Sequence, residues 1–263
     1  MATVLSTMDT HITLYTAHHC PFAHRVQIAL RELGLQFETA LVDITVPRTP
    51  DYLAINPSGM VPALAYNGHI LTESGLISQF LVDSHTSHLY PSTVGLDGAF
   101  QRFKIGYFVE TFFSKAHKSF DAIVFSPTAG DKAELAEEYI GAVVKHVEPL
   151  LADAAPFLGG SNRLTLGEVR IRQRKLHWQL GRQTLTRGNS QVMTGPFVLR
   201  VLTLPKYEQI VPSFILPALQ NRAPCFWRWA QAVVLEESVT AVWNEANVVR
   251  RTLEKIEKTI GSK

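Results

Sequence analysis

The apolar pattern changes period repeatedly over the first third of the chain. Residues 11–16, HITLYT, are short, β-branched and aromatic and predict a strand. From Pro21 onward Val26, Ala29, Leu30 and Leu33 recur at helical spacing, and Gly34 supplies a stop. FETALVD, 37–43, predicts a second strand, so strand, helix and strand follow closely enough to make a βαβ unit with a parallel pair. Two short strands are predicted in VPALAYNGHILT, 61–72, around Asn67-Gly68, a pair suited to the positive φ angles of a tight hairpin. ESGLISQFLVD, 73–83, reads as a helix with Leu76, Ile77 and Phe80 on one face. The order βαβ–ββα is that of a thioredoxin-like domain, placed at 1–90 and followed by the Pro/Gly/Ser-rich linker YPSTVGLDG, 90–98.

Beyond the linker the strand signals stop. The stretches 96–125, 131–154, 194–210 and 226–258 carry apolar residues at spacings of three and four and read as helices. The fold class expected is therefore α/β plus all-α, with an all-helical domain at 97–263 and no tandem repeat.

Composition narrows the classes. The chain has 263 residues, 46% apolar and 18% charged, enough for two domains that each bury a core. No apolar run reaches the roughly 18 residues of a membrane span, and the N-terminus lacks a basic stretch leading into an apolar core. A cytoplasmic protein with no membrane partner is the expectation. Cys20 and Cys225 lie far apart, which gives no disulfide framework and suits a reducing compartment. The net charge of +2 hides an asymmetry. Residues 169–191 hold Arg170, Arg172, Arg174, Lys175, Arg182 and Arg187 and no acid, and the rest of the chain is net acidic. Basicity so local argues against a nucleic-acid partner.

YTAHHCPFAHRV, 15–26, concentrates the candidate chemistry. His18, His19, Cys20 and His24 are all of metal-ligand type, but a structural zinc site wants four ligands at recognisable spacing and the chain has no second cluster. No metal is expected. A cysteine followed by proline at the opening of a first helix is a different signal. Helix-terminal amides favour a thiolate, and such cysteines drop from about 8.5 to roughly 3.5–7.5. A dithiol motif would need a second cysteine where Ala23 stands, so redox work at Cys20 needs an external thiol. A buried, inert helix-capping cysteine is the bland alternative.

Residues 11–90, and more loosely 97–250, resemble the cytosolic glutathione S-transferases, particularly the omega-like and fungal ones. CPFAHRV, INPSGMVPAL and LTESGLISQFL carry the resemblance, in matching order and spacing. It implies glutathione as cofactor, with Cys20 facing its sulfur as the catalytic residue and Phe22 lining the pocket. Val61 would offer its backbone to the cysteinyl part ahead of a cis Pro62, with Met60 beside it where some members have lysine. Glu73 and Ser74 would hold the γ-glutamyl end, and Arg48 the glycine carboxylate. The residue types suit that ligand on their own terms. Thr72-Glu73-Ser74 opens a helix, so its amides and a hydroxyl can take a carboxylate while Glu73 pairs with an ammonium. Plain N-capping is the competing reading of the same three residues.

Many members of the family place Ser or Tyr where Cys20 sits, which favours conjugation, whereas a cysteine favours thiol transfer or reductase chemistry. Tyr15 and Thr16 stay open as an activating hydroxyl. The second substrate, a hydrophobic electrophilic small molecule, is expected between the domains against Tyr107, Phe108 and Phe112. The resemblance further implies a homodimer and a place in fungal secondary metabolism or detoxification. One such role is glutathione-dependent cis–trans isomerisation of a conjugated alkene, such as a polyene side chain like that of the pseurotins. A non-catalytic glutathione-binding regulatory protein is the alternative from another class.

Residues 169–191 have a separate reading as a surface insertion or a retained intron. The capping box Thr165-x-x-Glu168 starts a helix, and joining Glu168 to Val192 gives LTLGEVMTGPFVLRVL, one continuous amphipathic helix. Valine codons begin with GT, a glutamine codon can end in AG, and Leu185-Thr186 can be encoded by CTAAC, a fungal branch-site sequence.

Overall fold

The computed structural model describes residues 10–18, 20–91, 95–126, 128–171, 210–241 and 245–260. The chain divides into two compact units, Met1–Ser87 and His88–Lys263.

The first unit is thioredoxin-like. Its elements run β1 (Ile12–Thr16), α1 (Pro21–Glu32), β2 (Glu38–Leu41), α2 (Pro50–Ile55), β3 (Ala63–Tyr66), β4 (His69–Thr72) and α3 (Ser74–Ser84). The sheet order is β2-β1-β3-β4, with β1 and β2 parallel and both other pairs antiparallel. Asn67 and Gly68, at φ 49° and 84°, turn β3 into β4 as their pairing predicts. Ala63 then lies opposite Thr72, so the residues before β3 and those after β4 emerge at the same end of the hairpin. α1 starts on Pro21, whose fixed φ and missing N–H suit a first helical turn. It buries Ala23, Val26, Ile28, Ala29 and Leu30, and it packs on α3, whose Ile77 and Leu81 are also buried. α2 is absent from the pattern-based reading. Its six residues bury only Tyr52, too little for a periodic signal, although the Thr49 side chain accepts from the Tyr52 amide and Pro50 follows it.

The second unit is helical. α4 (Leu96–Thr111) passes through a π-helical stretch, Phe112–His117, into α5 (Lys118–Phe125). α6 (Ala129–Ala142) follows, capped by the Thr128 side chain. Then come α7 (Leu166–Arg170), α8 (Ile215–Arg222), α9 (Pro224–Leu235), α10 (Glu237–Thr240) and α11 (Glu245–Ile260). Phe108, Phe112, Phe120, Tyr139, Phe157, Phe226 and Trp229 fill its core. Among the described residues this unit has no strand, only the isolated bridge Phe157–Ser161. The helix expected over 194–210 lies outside the described residues except at Ile210. Among the described residues no helix is long and apolar enough to cross a membrane.

Candidate functional site

Cys20 stands at the N-cap of α1 in extended conformation. Its Sγ donates to the Val61 carbonyl oxygen at 3.5 Å, and the Val61–Pro62 bond is cis. Cys20 is 5% exposed, packed in a cluster with Ala17, Ala23, Ile44, Tyr52 and Val61. Phe22 and Tyr15, both half-buried, pack against the same cluster, and the Tyr15 and Tyr52 rings lie 5.7 Å apart. Thr16 alternates to the opposite face of β1 and is buried with its hydroxyl lacking a hydrogen-bond partner.

The turn before Val61 is fixed by side chains that pattern reading did not single out. The Tyr52 hydroxyl and Asn56 Nδ2 both donate to the Met60 carbonyl, at 2.5 and 2.7 Å. Asn56 Oδ1 accepts from the Ser58 amide and hydroxyl. Met60 itself contributes its backbone, its side chain being exposed. Burial raises the Tyr52 pKa above the ordinary phenol value. The only sign of this pair in the sequence is the spacing of four between Tyr52 and Asn56, which the structure makes the C-cap of α2. Arg48 is turned into the fold: its guanidinium donates to the carbonyls of Gly59, Asp43, Val46 and Ile44.

Glu73 is the N-cap of α3, exposed, with φ 65° and ψ 99°. Ser74 is buried, and its hydroxyl oxygen accepts from Nη1 of Arg25 at 3.2 Å. Arg25, on α1, is 1% exposed. That guanidinium places positive charge behind the N-terminus of α3, where free amides already favour an anion. Ser74 keeps its own proton to donate. Arg25 could have been noticed only as a charge inside the apolar run CPFAHRV.

The three aromatic residues expected to line a pocket separate within α4 and its continuation. Phe108 and Phe112 are closed into the core, Phe108 edge-on to Trp229 at 5.5 Å and Phe112 edge-on to Phe113 at 5.6 Å. Tyr107 is exposed and stacks on Phe103 at 5.9 Å.

Residues 19–84 match the family model of the glutathione S-transferase N-terminal domain. That match lies within the first unit. Glutathione S-transferase L1 of Arabidopsis thaliana is 38% identical over 135 residues, 48% of this chain and 55% of that protein. This chain thus matches about half the length of that relative. Rice GST1, solved in complex with glutathione, superposes with a TM-score of 0.71 at 22% identity, covering 96% of this chain and 99% of that one. Glutathione transferase Omega 2C from Trametes versicolor gives 0.69 at 24% identity over 94% and 98%. At such identities the two structures establish the fold alone: a thioredoxin-like N-terminal domain followed by a helical C-terminal region.

Proposed function

We propose that the chain is a glutathione transferase acting on a hydrophobic, electrophilic small molecule. The observation that carries this reading is the convergence of two chain features on one end of the first unit. Cys20 at the start of α1 meets Val61 of the cis Val61–Pro62 bond at 3.5 Å. Because Ala63 pairs with Thr72, Glu73 and Ser74 follow at the same end of the hairpin, tied to α1 through Arg25.

The residues suit glutathione, which has two carboxylates, an ammonium and a thiol. Ser74, with its proton to give, and the opening amides of α3 suit a carboxylate, and the exposed Glu73 carboxylate suits the ammonium. Val61 offers backbone hydrogen bonding beside the sulfur position. When bound, glutathione supplies the nucleophilic sulfur. The Cys20 thiol donates a hydrogen bond to the Val61 carbonyl oxygen, so the sulfur lies beside that backbone group. The enclosing ring of Tyr15, Tyr52 and Ile44 limits water at the sulfur.

Thiol transfer through Cys20 is the second reading, favoured by a cysteine rather than a hydroxyl at the helix cap. Omega-like character and a fungal metabolic role, including isomerisation of a conjugated alkene, rest on motif resemblance. A cytoplasmic location rests on the free cysteines Cys20 and Cys225. The homodimer we propose is supported by Leu96, Phe100, Phe103 and Tyr107, which recur along one face of α4 and are each more than half exposed. Sedimentation at micromolar concentration reads the oligomeric state, a dimer being expected.

Retention on immobilised glutathione, followed by turnover of chlorodinitrobenzene and of hydroxyethyl disulfide with Cys20→Ser beside the parent, tests the function. Retention with conjugation that survives Cys20→Ser supports the transferase. Disulfide reduction that Cys20→Ser abolishes supports thiol transfer. Retention with neither turnover points to the non-catalytic alternative, and absence of retention overturns the reading.

A further inference from the structure

The basic residue Arg48 is where resemblance places a partner for the glycine carboxylate, yet its hydrogen bonds run elsewhere. Nε donates to the Gly59 carbonyl at 2.8 Å. Nη1 donates to the Asp43 carbonyl at 2.9 Å and to that of Val46. Nη2 reaches the Ile44 carbonyl at 3.4 Å. Three of these oxygens belong to the segment between β2 and α2, and the fourth to the turn before Val61. We infer that Arg48 is a positioning residue: it staples these two loops together and so sets where the Val61 backbone stands against Cys20.

Independent contacts point the same way. Gly59 has φ +64°, and a Cβ there would lie 3.1 Å from Arg48 Cγ, so the turn closes directly on the arginine stem. The next residue, Met60, has its carbonyl held by Tyr52 and Asn56, and Val61 follows with its carbonyl on the Cys20 thiol. A path of consecutive backbone groups therefore runs from the guanidinium to the sulfur. Only arginine suits the clamp. Its planar fork presents N–H groups in several fixed directions, whereas a lysine ammonium has three tetrahedral donors on one atom. Left without Arg48, these carbonyls would turn to water and the loops would separate.

The inference rests on the proposed glutathione site for its functional consequence but not for its structural one, and the test has an arm for each. In ligand-free protein, hydrogen exchange is measured for Thr45, Gly59 and Met60, whose amides donate to Asp43, Asn56 and Ser58. Arg48→Met and Arg48→Lys are both expected to speed exchange at these amides by about tenfold or more, with distant helices of the unit unchanged. Unfolding curves establish that both variants fold. If lysine preserves the protected amides, charge rather than the fork holds the loops, and the inference is overturned.

In the second arm, parent and Arg48→Met are titrated with glutathione and with its glycyl ethyl ester. A positioning role predicts that the variant weakens both ligands by the same factor, within about twofold. A direct ion pair predicts that the cost of esterification vanishes in the variant, and that result also overturns the inference. If the parent binds neither ligand, the function proposal fails and the exchange arm alone decides the role of Arg48.

Discussion

Glu73 holds a backbone conformation that side chains rarely adopt, φ 65° and ψ 99°, at the first turn of α3. Such positions persist where the surroundings demand them, and they gather at ligand sites. A glycine would relax the backbone and remove the carboxylate, whereas alanine removes only the carboxylate. Glu73→Gly is therefore expected to be more stable than Glu73→Ala by about 1 kcal/mol in urea unfolding, while both lose glutathione affinity by about tenfold or more in calorimetry. Equal stability would show that the φ angle carries no strain, and unchanged affinity would remove Glu73 from the site. Tyr52 gives a pH signature. Burial raises its folded pKa above the unfolded value, so the unfolded chain sheds that proton first. Its contribution is complete below the unfolded phenol pKa, about 10, and is lost as pH rises through the higher folded value. Tyr139 is shifted in the same direction by burial, so both steepen the alkaline decline. Tyr52→Phe is expected to flatten part of it, measured as unfolding free energy above pH 9 or so, relative to the parent. At this scale the sequence showed Cys20, Val61-Pro62 and Glu73-Ser74, because Cys-Pro, X-Pro and Thr-Glu-Ser each have a local physical meaning. It did not show Arg25, since the depth of a charge on a helix depends on what packs over it. Nor did it show that Arg48 turns inward, which is decided by carbonyls up to eleven residues away.

Elements were legible in proportion to their length and period. β1, α1, the Asn67-Gly68 hairpin and α3 fall where alternation, helical spacing and turn chemistry put them. α2 escaped because one buried residue makes no period. The aromatic helix misled for another reason. Successive residues on a helix are about 100° apart, so Tyr107 and Phe108 cannot share a face, and one is exposed while the other is buried. Further along, the capping box at α7 is built as its sequence suggests, and it does more than cap. Glu168 is 3% exposed and accepts from the Thr165 amide and hydroxyl, the Leu158 amide and Trp229 Nε1. It thus ties α7 to the turn at Leu158 and to α9. Glutamine would put an amide NH₂ among four donors, leaving at least one pair facing each other. Glu168→Gln is expected to cost about 2 kcal/mol or more of unfolding free energy, with a shift in Trp229 emission as its local readout. A cost near zero would show that the carboxyl group is not what joins these elements.

At the scale of the whole chain, period alone separates a mixed sheet domain from a helical one, because the two kinds of element bury their apolar residues at different spacing. What period does not supply is a reason for residues 169–191, which interrupt that logic with six basic residues, two glycines and no acid. Val169 to Ile171 close the described part of α7, and Arg172 to Gln191 lie outside the described residues. The reading of this stretch as a retained intron makes a claim about the joined chain. Thr165 and Glu168 form the capping box without any residue beyond Glu168, so a helix start survives the excision. Past the junction, VMTGPFVLRVL continues with apolar residues at helical spacing, enough for a longer α7 to bury one face. Removing 169–191 also takes away Val169 and Ile171, both buried, so the replacements Val192 and Thr194 must fill their places. One of these exchanges keeps valine and the other trades an isoleucine for a threonine, a loss of about 1–2 kcal/mol if nothing else changed. A helix lengthened by two or more turns is expected to outweigh it, since helix stability in proteins comes from the packed apolar face. The chain lacking 169–191 should therefore unfold at the same or higher temperature than the full sequence and keep its retention on immobilised glutathione. Sequencing of the transcript should find the shortened message as the major form. A shortened chain that fails to fold beside a folded full-length one, or a dominant message that keeps the segment, would make the stretch a genuine insertion of this protein.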